Sequence, residues 1–383
     1  MDKYKKIVGE SKLKELLNTA YSRIEQPSIE VVMGNPSCDQ DSFIGSHILA
    51  AVMGRVPVVN LCREIFECKH DLVKVCDIMG VSMDELVFLA KQGSAWFLQR
   101  GSKKYALAEK KITALLIDFN LPDKDLLLSE GFSIDRIIDH HPILEFSQKV
   151  HSKAAGMDIE LCAGSCCSLI YRFVCSQFAK TLEEKKATKE YNFLLLLSIP
   201  IMTDTSGLES RVHDVDVNGV RSSLGAAGAS MQDAQEVLAS LSKLKKCEDK
   251  IKTELILQMD YKPFDYPANH PGKSFGISSV KYAYDDWVQR DGKEEWKRKV
   301  KEFVQGKGHE FFIINCKVKG VRELYVYNAP GSGLIEKGIY EGKPVSKRSV
   351  AGDSEIVVYN VSPTISRKIV APMIYKYLSE QNN

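Results

Sequence analysis

The chain has 383 residues, 44% of them hydrophobic and 27% charged, with 52 Lys and Arg against 50 Asp and Glu. That length suits two domains with a core each, and a net charge of +2 without a basic, aromatic-studded stripe argues against nucleic acid as a partner. No apolar run reaches the roughly 18 residues that a membrane span needs, and ten cysteines without a C-x-x-C pair read as free thiols in a reducing compartment.

In chain order, Met1 to Leu17 scatters Lys3, Lys5, Lys6, Glu10, Lys12, Lys14 and Glu15 through a segment with no apolar centre. It reads as an amphipathic first helix and not as a secretory signal. The run Ile29 to Met33 is strand-like, passes through Gly34-Asn35-Pro36-Ser37-Cys38-Asp39-Gln40-Asp41-Ser42, and enters a helix over Phe43 to Met53. Val56 to Leu61 reads as a short strand, and Asp71 to Met79 and Met83 to Gln92 as helices. The aliphatic strand Ile112 to Ile117 closes on Asp118-Phe119-Asn120, and Ile134 to Ile138 closes on Asp139-His140-His141-Pro142. A helix is expected from about Ser165 to Phe178, followed by a charged surface stretch at 181–189. The apolar block Phe193 to Met202 then runs into Thr203-Asp204-Thr205-Ser206-Gly207.

Apolar runs alternating with helical patterns argue for a doubly wound, mostly parallel sheet covered on both faces, over residues 1–225. Residues 226–245 read as a helical linker. From 246 to 383 the texture changes: strand-like Ser274 to Val280, Glu310 to Cys316, Glu323 to Asn328 and Glu355 to Val361 are flanked by helical stretches near 285–306 and 363–378. That pattern predicts a smaller α+β domain with a mixed sheet. Residues 241–383 carry 25 Lys and Arg against 18 Asp and Glu, whereas residues 1–240 carry 27 against 32. An acidic half and a cationic half suit a polyanion between them. The clusters Lys293, Lys297, Arg298, Lys299, Lys301 and Lys343, Lys347, Arg348 read as solvated faces.

Four apolar runs each deliver a carboxylate or imidazole at an end. Read singly, each acid is explained as a helix cap or turn residue, and the histidine pair as a surface loop. Read together, they look like one site built from several strand tips, since ligands collect beyond the carboxyl ends of strands in open α/β sheets. Carboxylate oxygens suit Mg²⁺ and Mn²⁺, and imidazole widens the choice to Co²⁺ or Zn²⁺. The set Asp39, Asp41, Asp118, His140 and Asp204 suits a two-metal centre, which activates water and clamps the oxygens of an in-line phosphoryl displacement. Cys38, within this stretch, reads as a non-ligating loop residue.

The order G-N-P-S-C-D-Q-D-S (Gly34 to Ser42), I-D-F-N (Ile117 to Asn120), D-H-H-P (Asp139 to Pro142) and T-D-T (Thr203 to Thr205) resembles the DHH phosphoesterase superfamily. The segment Ser366-Arg367-Lys368 to Pro372 resembles the branch with a DHHA2 domain, which holds family II inorganic pyrophosphatases, eukaryotic exopolyphosphatases and prune phosphodiesterases. Asn35 departs from the pyrophosphatases, which carry a metal-binding His there, and is similar to the yeast and trypanosomatid exopolyphosphatases. The resemblance implies that Asp118 bridges two metals, with Asp39 on one and Asp41, His140 and Asp204 on the other. Asn35 would be a weak ligand or none, so one or two ions are implied, Mg²⁺ foremost. It further implies that His141 faces a substrate phosphate, that Asp139 orients the histidine pair, and that Arg367 and Lys368 clamp the phosphate chain in a cleft between the domains. Where relatives present a phosphate-binding Lys after the T-D-T motif, this chain offers Arg211, equally readable as a solvated loop arginine.

The function this implies is an exopolyphosphatase that removes the terminal phosphate of linear polyphosphate. The alternatives are a hydrolase of the same fold acting on pyrophosphate, a cyclic nucleotide or a nucleoside polyphosphate, and a non-catalytic polyphosphate or inositol phosphate binding module. The chain is expected to be cytoplasmic or in a phosphate-storing organelle, to act as a monomer, and to need neither nucleic acid nor membrane.

Overall fold

The computed structural model describes residues 1–92, 95–143, 154–245, 251–267, 270–318, 320–328, 346–349 and 355–380. The chain divides into two units, Met1–Cys247 and Glu248–Asn383.

The first unit is built on eight strands: β1 (Ser28–Met33), β2 (Val56–Val59), β3 (Val87–Gln92), β4 (Ala95–Arg100), β5 (Lys103–Ala106), β6 (Lys111–Ile117), β7 (Phe132–Asp139) and β8 (Gly156–Ile159). They lie in the order β5-β4-β3-β2-β1-β6-β7-β8. From β3 to β8 every neighbouring pair is parallel, and the β3–β4 and β4–β5 pairs are antiparallel. The central strands are aliphatic because helices cover both faces and leave no face for polar side chains. Val31, Val32, Ala114, Leu115, Leu116, Ile117, Ile137 and Ile138 are all buried.

The chain leaves β1 toward β2 and β3 on one side, and β6 starts the other half of the sheet. The gap beyond the carboxyl ends of β1 and β6 is therefore the switch point where such sheets bind ligands. The helix Gln40–Met53 starts in it, with Asp39 as N-cap accepting from Ser42 N at 3.1 Å. Gly34 is required at this turn, since a Cβ there would lie 2.5 Å from Ser42 Cβ and 2.8 Å from the Ser42 backbone.

Two expectations are corrected. Residues 83–92 are not a helix: Val87–Gln92 is β3, parallel to β2 and paired antiparallel with β4. Val87, Phe88 and Leu89 are buried, and the hairpin partner that supplies their hydrogen bonds lies just beyond them in sequence. The block 193–202 is not a strand-like run with a tip but a 3₁₀ turn, Asn192–Leu197, continuing into the helix Ser198–Asp204. Its leucines are buried all round, and an unbroken apolar run has no period to tell helix from strand. The stretch 226–245 forms the helix Met231–Leu244, which buries Ala234, Val237 and Leu241 and stays with the first unit. The amphipathic N-terminal segment is two helices, Asp2–Gly9 and Leu13–Ser22.

The second unit carries β9 (Tyr261–Asp265), β10 (Ser274–Val280), β11 (Phe311–Val318), β12 (Val321–Tyr327), β13 (Ser346–Ser349) and β14 (Ile356–Val361), ordered β13-β14-β12-β11-β10-β9. Only β10 and β11 are parallel, so the sheet is mixed as expected. Phe275, Ile277, Phe311, Ile313, Leu324 and Val326 form its core with Val370, Ile374 and Leu378 of the helix Arg367–Glu380. Of the lysine clusters, Arg298 pairs with Glu295 and Glu302 at 2.6 Å and Lys297 with Glu355 at 2.8 Å. Lys343 and the side chains of Lys347 and Arg348 lie outside the described residues, as does Cys247; the described cysteines are free. Among the described residues no helix is long and apolar enough to cross a membrane.

Replacing Gly34 with Ala forces a Cβ against the Ser42 Cβ and backbone and is expected to cost the first unit about 1–3 kcal/mol. Equilibrium denaturation would show this as a lower midpoint, and an unchanged midpoint would mean the turn relaxes freely.

Candidate metal centre

Asp118 follows β6 directly and sits at φ +60°, a left-handed conformation that Asp tolerates better than bulkier residues. Its side chain is buried, and Asn35 Nδ2 and Ser42 Oγ donate to its Oδ2 at 2.5 and 2.7 Å. The other oxygen, Oδ1, lies 3.3 Å from His140 Nε2 and 3.7 Å from His141 Nδ1. One ligand atom each from Asp118, His140 and His141 fall within 4.8 Å of one another.

His140 is held at its far side, where Nδ1 donates to the Ala163 carbonyl at 3.1 Å. That bond fixes the tautomer, so a neutral His140 turns the lone pair of Nε2 toward a carboxylate oxygen. Two acceptors facing each other at 3.3 Å require a proton or a cation between them. Burial pulls the His140 imidazolium down, but the Asp118 hydrogen bond and the charges of Asp41 and Asp118 outweigh it and push the group up to about 10.

Asp139, the last residue of β7, is fully buried and fully bonded. Its Oδ1 accepts from His140 N at 2.8 Å, His141 N at 3.2 Å and His141 Nδ1 at 2.8 Å, and its Oδ2 from Asn120 Nδ2 at 2.7 Å. Both of its oxygens are engaged, and it serves to aim the two imidazoles. The His141 side chain is 36% exposed, and with Nδ1 committed to Asp139 its Nε2 is the open atom.

Asp41 is buried in the first turn of its helix and accepts from Ser165 Oγ and Cys166 N at 2.7 Å and Cys167 N at 2.9 Å, the N-terminus of the helix Cys166–Gln177. Asp204, at the end of its helix, is pushed up to about 9 by burial and by the charges of Asp41, Asp39 and Asp118, and it hydrogen-bonds Asp41. Burial and the Asp39 charge likewise raise Asp118 well above the carboxylate range. Carboxylates that retain protons because they crowd together are the donor set a divalent cation replaces protons on. The residues therefore fit such an ion.

Asn35 is turned away from ligation: Oδ1 accepts from Ser37 Oγ at 2.7 Å and Cys38 N at 3.1 Å, leaving the amide nitrogen toward Asp118. Cys38 is buried and its thiol pushed up by burial, in keeping with a loop residue that does not ligate. Arg211, at φ +57°, donates to the Asp204 carbonyl at 2.7 Å. Arg367 and Lys368 begin the last helix of the second unit, where Arg367 donates to the Asp260 carbonyl at 2.6 Å and carboxylate at 2.7 Å and Lys368 is exposed. Motif reading passed over Ser42 and Ser165, although Ser165 stands at a helix N-cap, where serine is favoured. It also assigned no role to Asn120, which sits inside the I-D-F-N motif.

Fold and site together define an α/β protein with an Asp- and His-lined candidate metal site at the switch point of a mostly parallel sheet. Residues 239–377 match the DHHA2 domain. The chain is 24% identical over 352 residues to a candidate exopolyphosphatase of Schizosaccharomyces pombe, covering 86% of this chain and 84% of that one. It is 23% identical over 380 residues to exopolyphosphatase PRUNE1 of Bos taurus, covering 93% of this chain and 77% of that one. A crystal structure of a candidate family II inorganic pyrophosphatase from Methanococcus jannaschii shares the fold, with a TM-score of 0.54, 21% identity and coverage of 92% of this chain and 99% of that one. Residues 239–377 thus carry a DHHA2 domain, and the chain as a whole is similar to proteins named exopolyphosphatase.

With Asp204 pushed up to about 9 and His140 to about 10, both hold protons at pH 7. Adding Mn²⁺ or Mg²⁺ to the metal-free protein at pH 7 is expected to release about one to two protons per chain. Titration calorimetry in buffers of different ionisation enthalpy measures this, and heats independent of buffer would exclude it.

Proposed function

We propose that the chain is a metal-dependent exopolyphosphatase, hydrolysing the terminal phosphoanhydride of linear polyphosphate to release orthophosphate. The observation that carries this is the pair Asp118 Oδ1 and His140 Nε2, facing each other at 3.3 Å with the other imidazole nitrogen committed to Ala163. The substrate class follows the relatives named for exopolyphosphatase activity. Asn35 adds support, because it offers Asp118 a donor where a family II pyrophosphatase would offer a ligand.

Asp39, Asp41, Asp118, His140 and Asp204 would hold the divalent ion or ions, Mg²⁺ foremost with Mn²⁺, Co²⁺ or Zn²⁺ as substitutes. When bound, the ion supplies Lewis acidity to the phosphoryl oxygens and acidifies water. The protein's own groups position. His141, aimed by Asp139, turns Nε2 outward, where it would face a phosphoryl oxygen. Arg367 spends two of its five N–H groups on Asp260, which leaves three and a fixed fork plane for phosphate. Lys368 adds a compact charge, and Arg211, beside Asp204, adds another. Water adds in line to the terminal phosphorus, the bridging P–O bond breaks, and the products are orthophosphate and a chain one unit shorter. Such a reaction needs positioning and charge more than a covalent nucleophile.

The test is phosphate release from polyphosphates of defined length, pyrophosphate and cyclic AMP, each with Mg²⁺ and with Mn²⁺. Polyphosphate should outpace the others, and Asp118→Asn should lower the rate by about 100-fold or more. Turnover confined to pyrophosphate or cyclic AMP would discard the substrate and keep the centre. Tight polyphosphate binding without turnover would make the protein a binding module.

A further inference from the structure

One buried carboxylate of the first unit belongs to none of the motifs. Asp216, in the first turn of the helix Asp214–Ala227, is fully buried and has no Lys or Arg among the described residues as a hydrogen-bond partner. Both of its oxygens accept from the Gly164 N–H, at 3.1 and 2.9 Å. Oδ1 also accepts from Ser168 Oγ at 2.5 Å and Oδ2 from His213 N at 2.8 Å. The His213 bond is a helix cap of the ordinary kind. The bonds to Gly164 and Ser168 reach across about 50 residues to another segment and have no part in capping.

Gly164 sits between two residues that aim the metal centre. Its predecessor Ala163 offers the carbonyl that accepts from His140 Nδ1 at 3.1 Å, and its successor Ser165 donates Oγ to Asp41 at 2.7 Å. The following amides, Cys166 N and Cys167 N, complete the hold on Asp41. The turn is also pressed from outside, because a Cβ on Gly164 would lie 2.4 Å from the Arg211 carbonyl oxygen and 2.9 Å from Asp216 Oδ2. That side has no room for a side chain, and the Asp216 carboxylate holds the Gly164 N–H there. One peptide position thereby sets the direction of an imidazole from β7 and of a carboxylate from the helix Gln40–Met53.

We infer that Asp216 is a positioning residue for the cation centre: by clamping Gly164 it orients His140 through Ala163 and Asp41 through Ser165. The inference rests on the proposed reading of that centre as a metal site. Outer partners that orient metal ligands typically change ion affinity by 10- to 100-fold when removed. Asp216→Asn keeps the shape but sets an N–H₂ or a neutral oxygen against the Gly164 N–H, so the turn loses its charged anchor.

The experiment measures Mn²⁺ binding to the full chain by equilibrium dialysis, for the wild type, Asp216→Asn and Asp118→Asn, with thermal melting of each in EDTA. The expected result is an Mn²⁺ affinity weakened about 10-fold or more in Asp216→Asn, with a melting temperature in EDTA close to wild type. At saturating Mn²⁺ its phosphate release should recover toward wild type, so the loss lies in ion affinity. Wild-type Mn²⁺ affinity in Asp216→Asn would overturn the inference and leave the metal reading intact. Failure of the wild type to bind Mn²⁺, or undiminished binding by Asp118→Asn, would overturn the metal reading first and the inference with it. If Asp216→Asn does not fold, Ser168→Ala decides. It removes one donor and leaves Gly164 and His213 in place, so a several-fold weaker Mn²⁺ affinity supports the assignment and an unchanged one overturns it.

Discussion

Negative charge packed beyond the ends of β1 and β6 is the constraint to which the rest of the first unit answers. Asp39, Asp41, Asp118 and Asp204 come together where burial alone would cost several kcal/mol per unpaired charge, and burial with that crowding raises Asp118 and Asp204 above the ordinary carboxylate range. No Lys or Arg side chain among the described residues is hydrogen-bonded to the Asp118, Asp41 or Asp139 carboxylates. Their partners are backbone N–H groups, hydroxyls, amides, two imidazoles and, for Asp41, the Asp204 carboxyl group. Apart from the imidazoles these donors are uncharged, so they fix direction and leave most of the crowding of acids for a cation to relieve.

The surrounding structure is organised so that these donors arrive in the right places. The strand order brings the ends of β1, β6 and β7 side by side, so that residues 35, 118 and 140 meet although they are far apart in sequence. Each acid is then oriented by a short-range device: Asp39 by capping its own helix, Asp41 by the start of another, and Asp139 by the two amides that follow it. Gln40, between the two acids of its helix, accepts from Thr203 Oγ1 at 2.7 Å and donates to the buried Asp71 at 2.9 Å. This ties the start of that helix to the end of the helix that carries Asp204.

Much of this was legible. The strands that bear the site are short aliphatic runs ending in polar residues, and such ends are visible in one dimension because burial on both faces demands unbroken apolarity up to the edge. The hairpin at 87–106 was not legible, because a buried run of Val, Phe and Leu followed by a mixed strand carries neither clean period. The helix ending at Asp204 was hidden in the same way, since a fully buried helix has no polar face to give a period of 3.6.

By itself the sequence determined which residues could ligate a cation, the parallel character of the first sheet and the mixed character of the second, because residue type and burial pattern are properties of the chain. Tertiary structure decided which atoms are available. Asn35 and Asp139 are both polar and buried beside Asp118, yet one presents an N–H and the other has every oxygen engaged. Asp216, nearly a hundred residues from Asp118, governs a turn that no motif contains. Hydrogen-bond direction is set by partners brought in from distant segments, and a one-dimensional pattern holds no record of which lone pair faces which proton.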